Sequence, residues 1–337
     1  IKEGKNMATI KDVAKMAGVS VCTVSRAIAG KGYIGQETYD RVMKAVEELQ
    51  YTPNKTAVGL KTGRTNIIAL VVPGIRNVYY PKLATCVQNY ADEKGYMMLL
   101  CSTDYSLEKE KKIIEKLCSQ KVSGVMITTC SNENAHIKKL KSYNIPYIYL
   151  NRTYEDDLER CLRVNNRAAA AAVVSYLIEM GHKKIGGLFR SFDNMIYRER
   201  YEGMKDAIFA HGLEFDENLV LFDIEDSEKS YQIIEKHLRK EERPGAFFAS
   251  DDMLAYGMYK VAYDLKLSIP EQLSIVGFDN SLMADVIAPH LTTCEMPTER
   301  LAQLAVEYID TYIRTGEMIH MPVLEGKMLF RESVARK

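Results

Sequence analysis

Residues 9–32 read TIKDVAKMAGVSVCTVSRAIAGKG, two short amphipathic segments joined by Ala17-Gly18-Val19-Ser20. Thr9 is placed to cap a helix, and Asp12, three residues on, can reach back to it as a shorter-armed capping box. Ile10, Val13, Ala14 and Ala17 then share one face. Gly18 predicts the stop, because glycine takes the left-handed position after a helix at little cost. Ser20 is expected to cap the second segment, whose inner stripe is Val24, Ala27 and Ile28. Val21, Cys22, Ser25 and Arg26 are left pointing outward. Thr38, Val42, Ala45, Val46 and Leu49 repeat at helical spacing and predict a third helix. The pattern is a helix-turn-helix, and the outer face of its second helix is what would enter a major groove. Arg26 suits a guanine edge or a phosphate, and Ser20, Thr23 and Ser25 suit phosphates and base edges. Such a turn between helices also occurs in proteins that bind no DNA.

The charge distribution supports the first reading. The chain of 337 residues has a formal net charge of +0, yet residues 1–65 hold 11 Lys/Arg against 6 Asp/Glu, and the remainder 34 against 39. A basic opening unit on an acidic body fits a nucleic-acid reader attached to something else. After Tyr51-Thr52-Pro53, Asn54 can cap a short segment, KTAVGLKTG, which Thr56, Val58 and Gly59 make a poor helix by itself. It falls below the ~12–15 residues an isolated helix needs. It reads either as a flexible linker or as a helix formed only on DNA, with Leu60 as an apolar wedge for a minor-groove step.

From about Thr9 to Arg331 the chain resembles the LacI/GalR (lactose-repressor) family of bacterial transcription regulators. The likeness is carried by residues 9–32, by YTPN at 51–54 and by AVGLKTGRTNIIALVVP at 57–73. It implies a recognition helix bearing Val21, Cys22 and Arg26, and a hinge helix whose Leu60 intercalates as two subunits meet on a palindromic operator. The DNA-contacting set is then Thr9, Ser20, Val21, Cys22, Thr23, Ser25, Arg26, Thr38, Asn54, Ala57 and Leu60. Gly35, Ala29 and Val58-Gly59 depart from residues common in the family.

Past Thr65 the rhythm becomes strand and helix in alternation. IIALVVP, YMMLLCS, GVMIT, IPYIYLN, KKIGGLF, LVLFD, GAFFAS and LSIVGFD read as short buried strands between amphipathic helices. That order predicts parallel sheets with helices on both faces. About ten strands exceed one doubly wound sheet, so two lobes breaking near Asn165 are expected, with ligand at the carboxyl ends of their strands. The resemblance implies the fold of bacterial sugar-binding proteins. The expected organisation is an all-α helix-turn-helix domain at 7–53 and a hinge helix at 54–65. An α/β core of two doubly wound parallel-sheet lobes follows, periplasmic-binding-protein-like, at 66–165 with 294–322 and at 166–293 with 323–333.

The strand ends carry the polar groups a polyol needs, carboxylates and arginine beside tyrosines. Asn77, Tyr79 and Tyr80 follow the first strand, Asn151 and Arg152 the fourth, Asp251 and Asp252 GAFFAS, and Asp279 and Asn280 LSIVGF. Arg198, Arg200 and Gly203 lie on one helix. Asp251 or Asp252 can equally serve as a helix cap, Asp279 as a turn residue, and Arg198 or Arg200 as a surface ion-pair partner. His182, in MGHKKIG, reads as structural. The resemblance places the effector on Arg200, Asp279 and Asp251, with Asn77, Tyr79, Tyr80 and Asn151 opposite. Asn151 and Asn165 replace aspartates common in the family, and Val78 replaces a proline.

No nucleophile elbow, P-loop, GxGxxG or HExxH run is present, and the lone histidines lack metal spacing. Seven scattered cysteines without a CxxC pair, no secretory signal in IKEGKN and no apolar run near ~18 residues predict a reduced, cytoplasmic protein without cofactor or metal. The expected function is a homodimeric, effector-responsive DNA-binding regulator, most simply a repressor of carbohydrate-utilisation genes with a sugar or sugar derivative as effector. The alternatives are a solute-binding protein for sugar uptake, or a regulator answering to a purine or a protein corepressor.

Overall fold

The computed structural model describes residues 8–30, 33–51, 65–152, 154–192, 194–225 and 228–337. It divides into two compact units, Ile1–Thr65 and Asn66–Lys337.

The first unit holds α1 (Ile10–Ala17), α2 (Val21–Ala29) and α3 (Gln36–Glu48). The Thr9 N–H donates to Asp12 Oδ2 at 2.8 Å, and the Thr9 hydroxyl donates to the same oxygen at 2.7 Å. Gly18 ends α1 with φ 65. Ser20 Oγ accepts from the Thr23 N–H at 3.1 Å and so caps α2. Val13, Ala14, Ala17, Val24, Ala27, Val42 and Ala45 form a small core, the expected one. Asn54, Ala57 and Leu60, and with them the expected hinge helix, lie outside the described residues.

The second unit opens with β1 (Ile67–Val72), α4 (Tyr79–Glu93), β2 (Met97–Ser102), α5 (Leu107–Ser119), β3 (Gly124–Ile127), α6 (Ala135–Ser142), β4 (Tyr147–Leu150) and β5 (Cys161–Leu162). These strands make one parallel sheet in the order β2-β1-β3-β4-β5. The chain continues through α7 (Asn166–Glu179), β6 (Ile185–Leu188), α8 (Met195–Ala210), β7 (Val220–Leu221), α9 (Glu228–Leu238), β8 (Ala246–Ala249), α10 (Asp252–Asp264), β9 (Ser274–Asp279), β10 (Thr292–Glu295), α11 (Thr298–Thr315) and β11 (Lys327–Leu329). Here the order is β11-β10-β9-β8-β6-β7. Counted from β6, the five parallel strands repeat the 2-1-3-4-5 order of the first sheet. Each sheet therefore has its own switch point, between β1 and β3 and between β6 and β8.

Two details add to the expected architecture. The second sheet is mixed, because β11 runs antiparallel to β10. After β10 the chain leaves for α11, which packs on α4, β3 and β4 of the first lobe. It re-enters the second lobe from the side where the strands have their carboxyl ends, so its last strand runs the other way. Near the crossover expected at 294, Cys294 and Glu295 are paired with β9 and β11 in β10.

Helix α8 lies tight against α7 at Gly203, where a Cβ would be 2.1 Å from the Arg167 carbonyl oxygen and 3.0 Å from Ala170 Cβ. A backbone atom cannot yield as a side-chain tip can. Gly203→Ala should therefore destabilise the second unit by ~1–3 kcal/mol through overpacking. Urea unfolding of the full chain measures this, and an unchanged midpoint would contradict the close packing.

Candidate functional site

On α2, Val21, Cys22, Ser25 and Arg26 face solvent while Val24 is fully buried beneath them. Arg26 makes no ion pair among the described residues. Three candidates are already engaged within the unit: Thr9 with Asp12, and Ser20 with both the Thr23 N–H and the Thr23 hydroxyl, the latter at 2.9 Å. Thr38 is half-buried in the first turn of α3. A shallow concavity lined by Arg26, Gly30, Ile34, Gln36 and Tyr39 joins the end of α2 to the start of α3. Gln36 and Tyr39 were not singled out by the sequence, since neither breaks the helical pattern.

In the second unit the carboxyl ends of the two sheets meet. Arg200, on α8 and 3% exposed, is the centre of that meeting. Its Nη2 lies 3.3 Å from Asp279 Oδ1, Nη1 donates to the Ser250 carbonyl, and Nε donates to Asn166 Oδ1 at 3.1 Å. Asn166 Nδ2 in turn donates to Asn151 Oδ1 at 2.9 Å. One run of hydrogen bonds thus ties the end of β4 in the first lobe to the ends of β8 and β9 in the second. The guanidinium carbon also sits 3.7 Å from the centre of the Phe278 ring.

Burial pushes the Asp279 carboxyl up to about 8; Arg200 opposes this, and the charges of Asp251 and Asp252 add to it. Burial likewise pushes the Tyr79 hydroxyl up, with Asp279 adding and Arg200 opposing. Tyr79 therefore brings the first lobe up to the same pair. Tyr79 and Tyr80 meet edge to face with ring centres 5.3 Å apart, and Asn77 Oδ1 accepts from the Tyr79 N–H at 3.0 Å to hold the loop after β1. Asn151 (φ 50), Asp279 (φ 109) and Asn280 (φ 51) all have positive φ at strand ends, a concentration of backbone strain typical of ligand clamps.

Asp251 has two partners. It accepts from the Leu254 N–H at 3.0 Å as the cap of α10, and it pairs with Arg190 Nε at 2.5 Å. Asp252 accepts from the Ser281 N–H at 2.6 Å and the Thr293 hydroxyl at 2.7 Å, so it braces the end of β9. Burial raises it to about 6 against those bonds. Arg198 is exposed, and buried His182 Nε2 lies 3.0 Å from the Ala335 carbonyl, a structural contact. Sequence reasoning passed over Arg190 and Asn166. Arg190 follows β6 as Asn77 follows β1, so the switch-point rule applied to both lobes would have found it.

The chain matches two family models: bacterial regulatory proteins of the lacI family over residues 9–54, and a periplasmic binding protein-like domain over residues 174–334. It is 33% identical over 300 residues to the HTH-type transcriptional regulator DegA of Bacillus subtilis, covering 87% of this chain and 88% of that one. It is 33% identical over 307 residues to a ribose operon repressor of Halalkalibacterium halodurans, covering 90% and 89%. The crystal structure of the lac repressor dimer bound to operator and an anti-inducer superposes with a TM-score of 0.86 at 21% identity, over 98% of this chain and 100% of that one. A helix-turn-helix reader, a twin-sheet body and relatives matched nearly end to end agree: this chain belongs to the LacI family of bacterial regulatory proteins.

Proposed function

We propose that the protein is a homodimeric, effector-controlled repressor, acting in the cytoplasm on carbohydrate-utilisation genes through a palindromic operator. The observation that carries this reading is the outward face of α2, Val21, Cys22, Ser25 and Arg26, standing free over a closed core. Two such helices, one per subunit, would lie in successive major grooves about 34 Å apart. Arg26 and Ser25 would read the bases. Thr9, Ser20, Thr23 and Thr38 would meet phosphates with whatever capacity their own hydrogen bonds leave, and Asn54, Ala57 and Leu60 would act as the hinge on DNA.

Exposed apolar side chains support the dimer. Edge strand β2 presents Met97, Leu99 and Leu100, and the second lobe presents Leu282, Met283 and Val286. Apolar surface of this kind is suited to a second copy. The effector is a sugar or sugar derivative, held by Arg200, Asp279, Asp251 and Arg190 from one lobe and by Asn77, Tyr79, Tyr80 and Asn151 from the other. The name of the ribose operon relative agrees with that class. Because Arg200, Asp279 and Asp251 are buried, a ligand reaches them only when the lobes part. Closure around it would shift the dimer geometry through unequal affinity for the open and closed states. No described helix is long and apolar enough to cross a membrane. A regulator, with no reaction centre, accounts for these residues more simply than an enzyme does.

Arg26→Ala should abolish specific operator binding while leaving the dimer intact, as read by fluorescence anisotropy and sedimentation. Wild-type affinity should fall steeply between about 50 and 200 mM salt, from counterion release. Retained operator affinity in the variant would remove the reading helix from its role. Asp279→Ala and Arg200→Ala should keep DNA binding and lose release by sugars; a normal response would place the effector elsewhere. Asp279 is also expected to set a pH dependence. Its carboxyl stands at about 8 against an ordinary 3.8, so the folded state holds the extra proton and stability falls as pH rises between those values. Asp279→Asn should flatten the melting temperature across that window. An equal slope in both proteins would assign the dependence to other groups.

A further inference from the structure

The first lobe also holds the second at a point outside the Arg200 centre. Lys82 stands in the first turn of α4, two residues beyond Tyr80. Its Nζ donates to the Asn280 carbonyl at 3.3 Å and lies 3.9 Å from Glu295 Oε1. Both partners belong to the second lobe: Asn280 directly follows Asp279 at the end of β9, and Glu295 is the last residue of β10. The chain then crosses to α11, so the Lys82–Glu295 pair spans one of the connections about which the lobes would turn.

The two sides of this contact are built differently. Asn280 is held from three directions: Nδ2 donates to Glu295 Oε1 at 2.9 Å, Oδ1 accepts from Arg331 Nη2 at 2.9 Å, and the N–H donates to the Thr293 hydroxyl at 3.4 Å. Arg331 is itself fixed by Asp285 at 2.6 Å and by the Leu291 carbonyl at 2.7 Å. The second lobe thus presents a carbonyl and a carboxylate in set positions. The first lobe supplies a cation on a flexible four-carbon stem, which can follow them or leave them. The other carboxylate nearby is Glu299 of α11, which accepts from the Tyr90 hydroxyl of α4 at 3.2 Å. The charges of Lys82 and Glu299 are both felt at Cys86, and α11 packs on α4. Glu299 therefore stays on Lys82's own side when Glu295 recedes. Helix α4 also carries Tyr79 and Tyr80, so one helix links the aromatic half of the candidate effector site to the strand end that bears Asp279. The side chains of Lys82 and Glu295 are 30% and 36% exposed, so solvent screens the pair and its weight is modest, about two- to fivefold in an equilibrium constant. A modest weight suits a contact that has to yield to a ligand.

We propose that Lys82 is an interlobe brace: with Asn280 and Glu295 it sets the resting balance between closed and parted lobes, and so how readily Tyr79 and Asp279 come together. It is a positioning residue and touches no effector. The proposal rests on the effector reading above only in taking the lobes to part and close.

The test uses the full chain without ligand, one fluorescent dye on each lobe, and single-molecule energy transfer to read the ratio of parted to closed molecules. Lys82→Met should raise that ratio about two- to fivefold. Lys82→Glu and Glu295→Lys set like charges against each other, and each should raise it further. Combining Lys82→Glu with Glu295→Lys should bring the ratio back toward that of the wild type, because opposite charges meet again. Circular dichroism of all four variants checks that they remain folded. A ratio unchanged in Lys82→Met and Lys82→Glu would overturn the proposal. So would a combined variant whose effect is the sum of its two parents, since the change would then arise at two separate sites. Operator affinity of the same variants separates this proposal from the effector reading. Affinity that follows the ratio supports both; a ratio that shifts while affinity stays constant keeps the brace and removes control of DNA binding by the lobes.

Discussion

The interior of the second unit is organised around one buried cation. Arg200 is surrounded by the Asp279 carboxyl, the Ser250 carbonyl, the Asn166 amide and the Phe278 ring. Taking a guanidinium out of water is expensive, and the cost is recovered only when every side of the fork finds a partner. That requirement constrains much of the surrounding structure. Helix α8 must come close enough to α7 for Arg200 to reach Asn166, which is why a glycine stands one turn further along at 203. Strand β8 ends opposite Gly277 and β9 runs on to Asp279, which brings the Ser250 carbonyl and Asp279 to the same guanidinium. Removing any one partner would leave the others desolvated around an uncompensated charge.

The second organising feature is duplication. The five parallel strands of each sheet run 2-1-3-4-5, and strands that run parallel have their carboxyl ends on one side. Facing those sides toward each other gathers polar residues from the ends of β1, β4, β6, β8 and β9 into one seam. Its polar residues come from points far apart in the chain: Arg190 and Asp251 are 61 residues apart, Arg200 and Asp279 are 79. The positive φ angles of Asn151, Asp279 and Asn280 show that the backbone at these ends is held out of its relaxed form, tolerable only where the packing on all sides is fixed.

The opening unit follows a different logic. Among its described residues the core is seven small or β-branched side chains, with larger apolar ones such as Ile10, Ile28 and Leu49 packed half-buried against it. Capping does much of the positioning: Thr9 with Asp12 sets the start of α1, Gly18 its end, and Ser20 the start of α2. The side chains that cap are then only partly available for other contacts, which concentrates the candidate reading face on Val21, Cys22, Ser25 and Arg26.

The amino-acid sequence by itself determined whatever depends on neighbours within about one turn or one strand. The helix-turn-helix was legible from the spacing of Val13, Ala17, Val24 and Ala27, because helical side chains three and four apart share a face. The alternation of strand and helix, and the strand ends bearing Asn77, Asp251 and Asp279, were legible for the same reason. Tertiary structure alone decided the pairing of Arg190 with Asp251, the link through Asn166 and the antiparallel turn of β11. Each of these joins residues brought together only by the closing of long loops. No local period records which partner a charge will meet, because that is settled by strand order and by the packing of helices against the sheets.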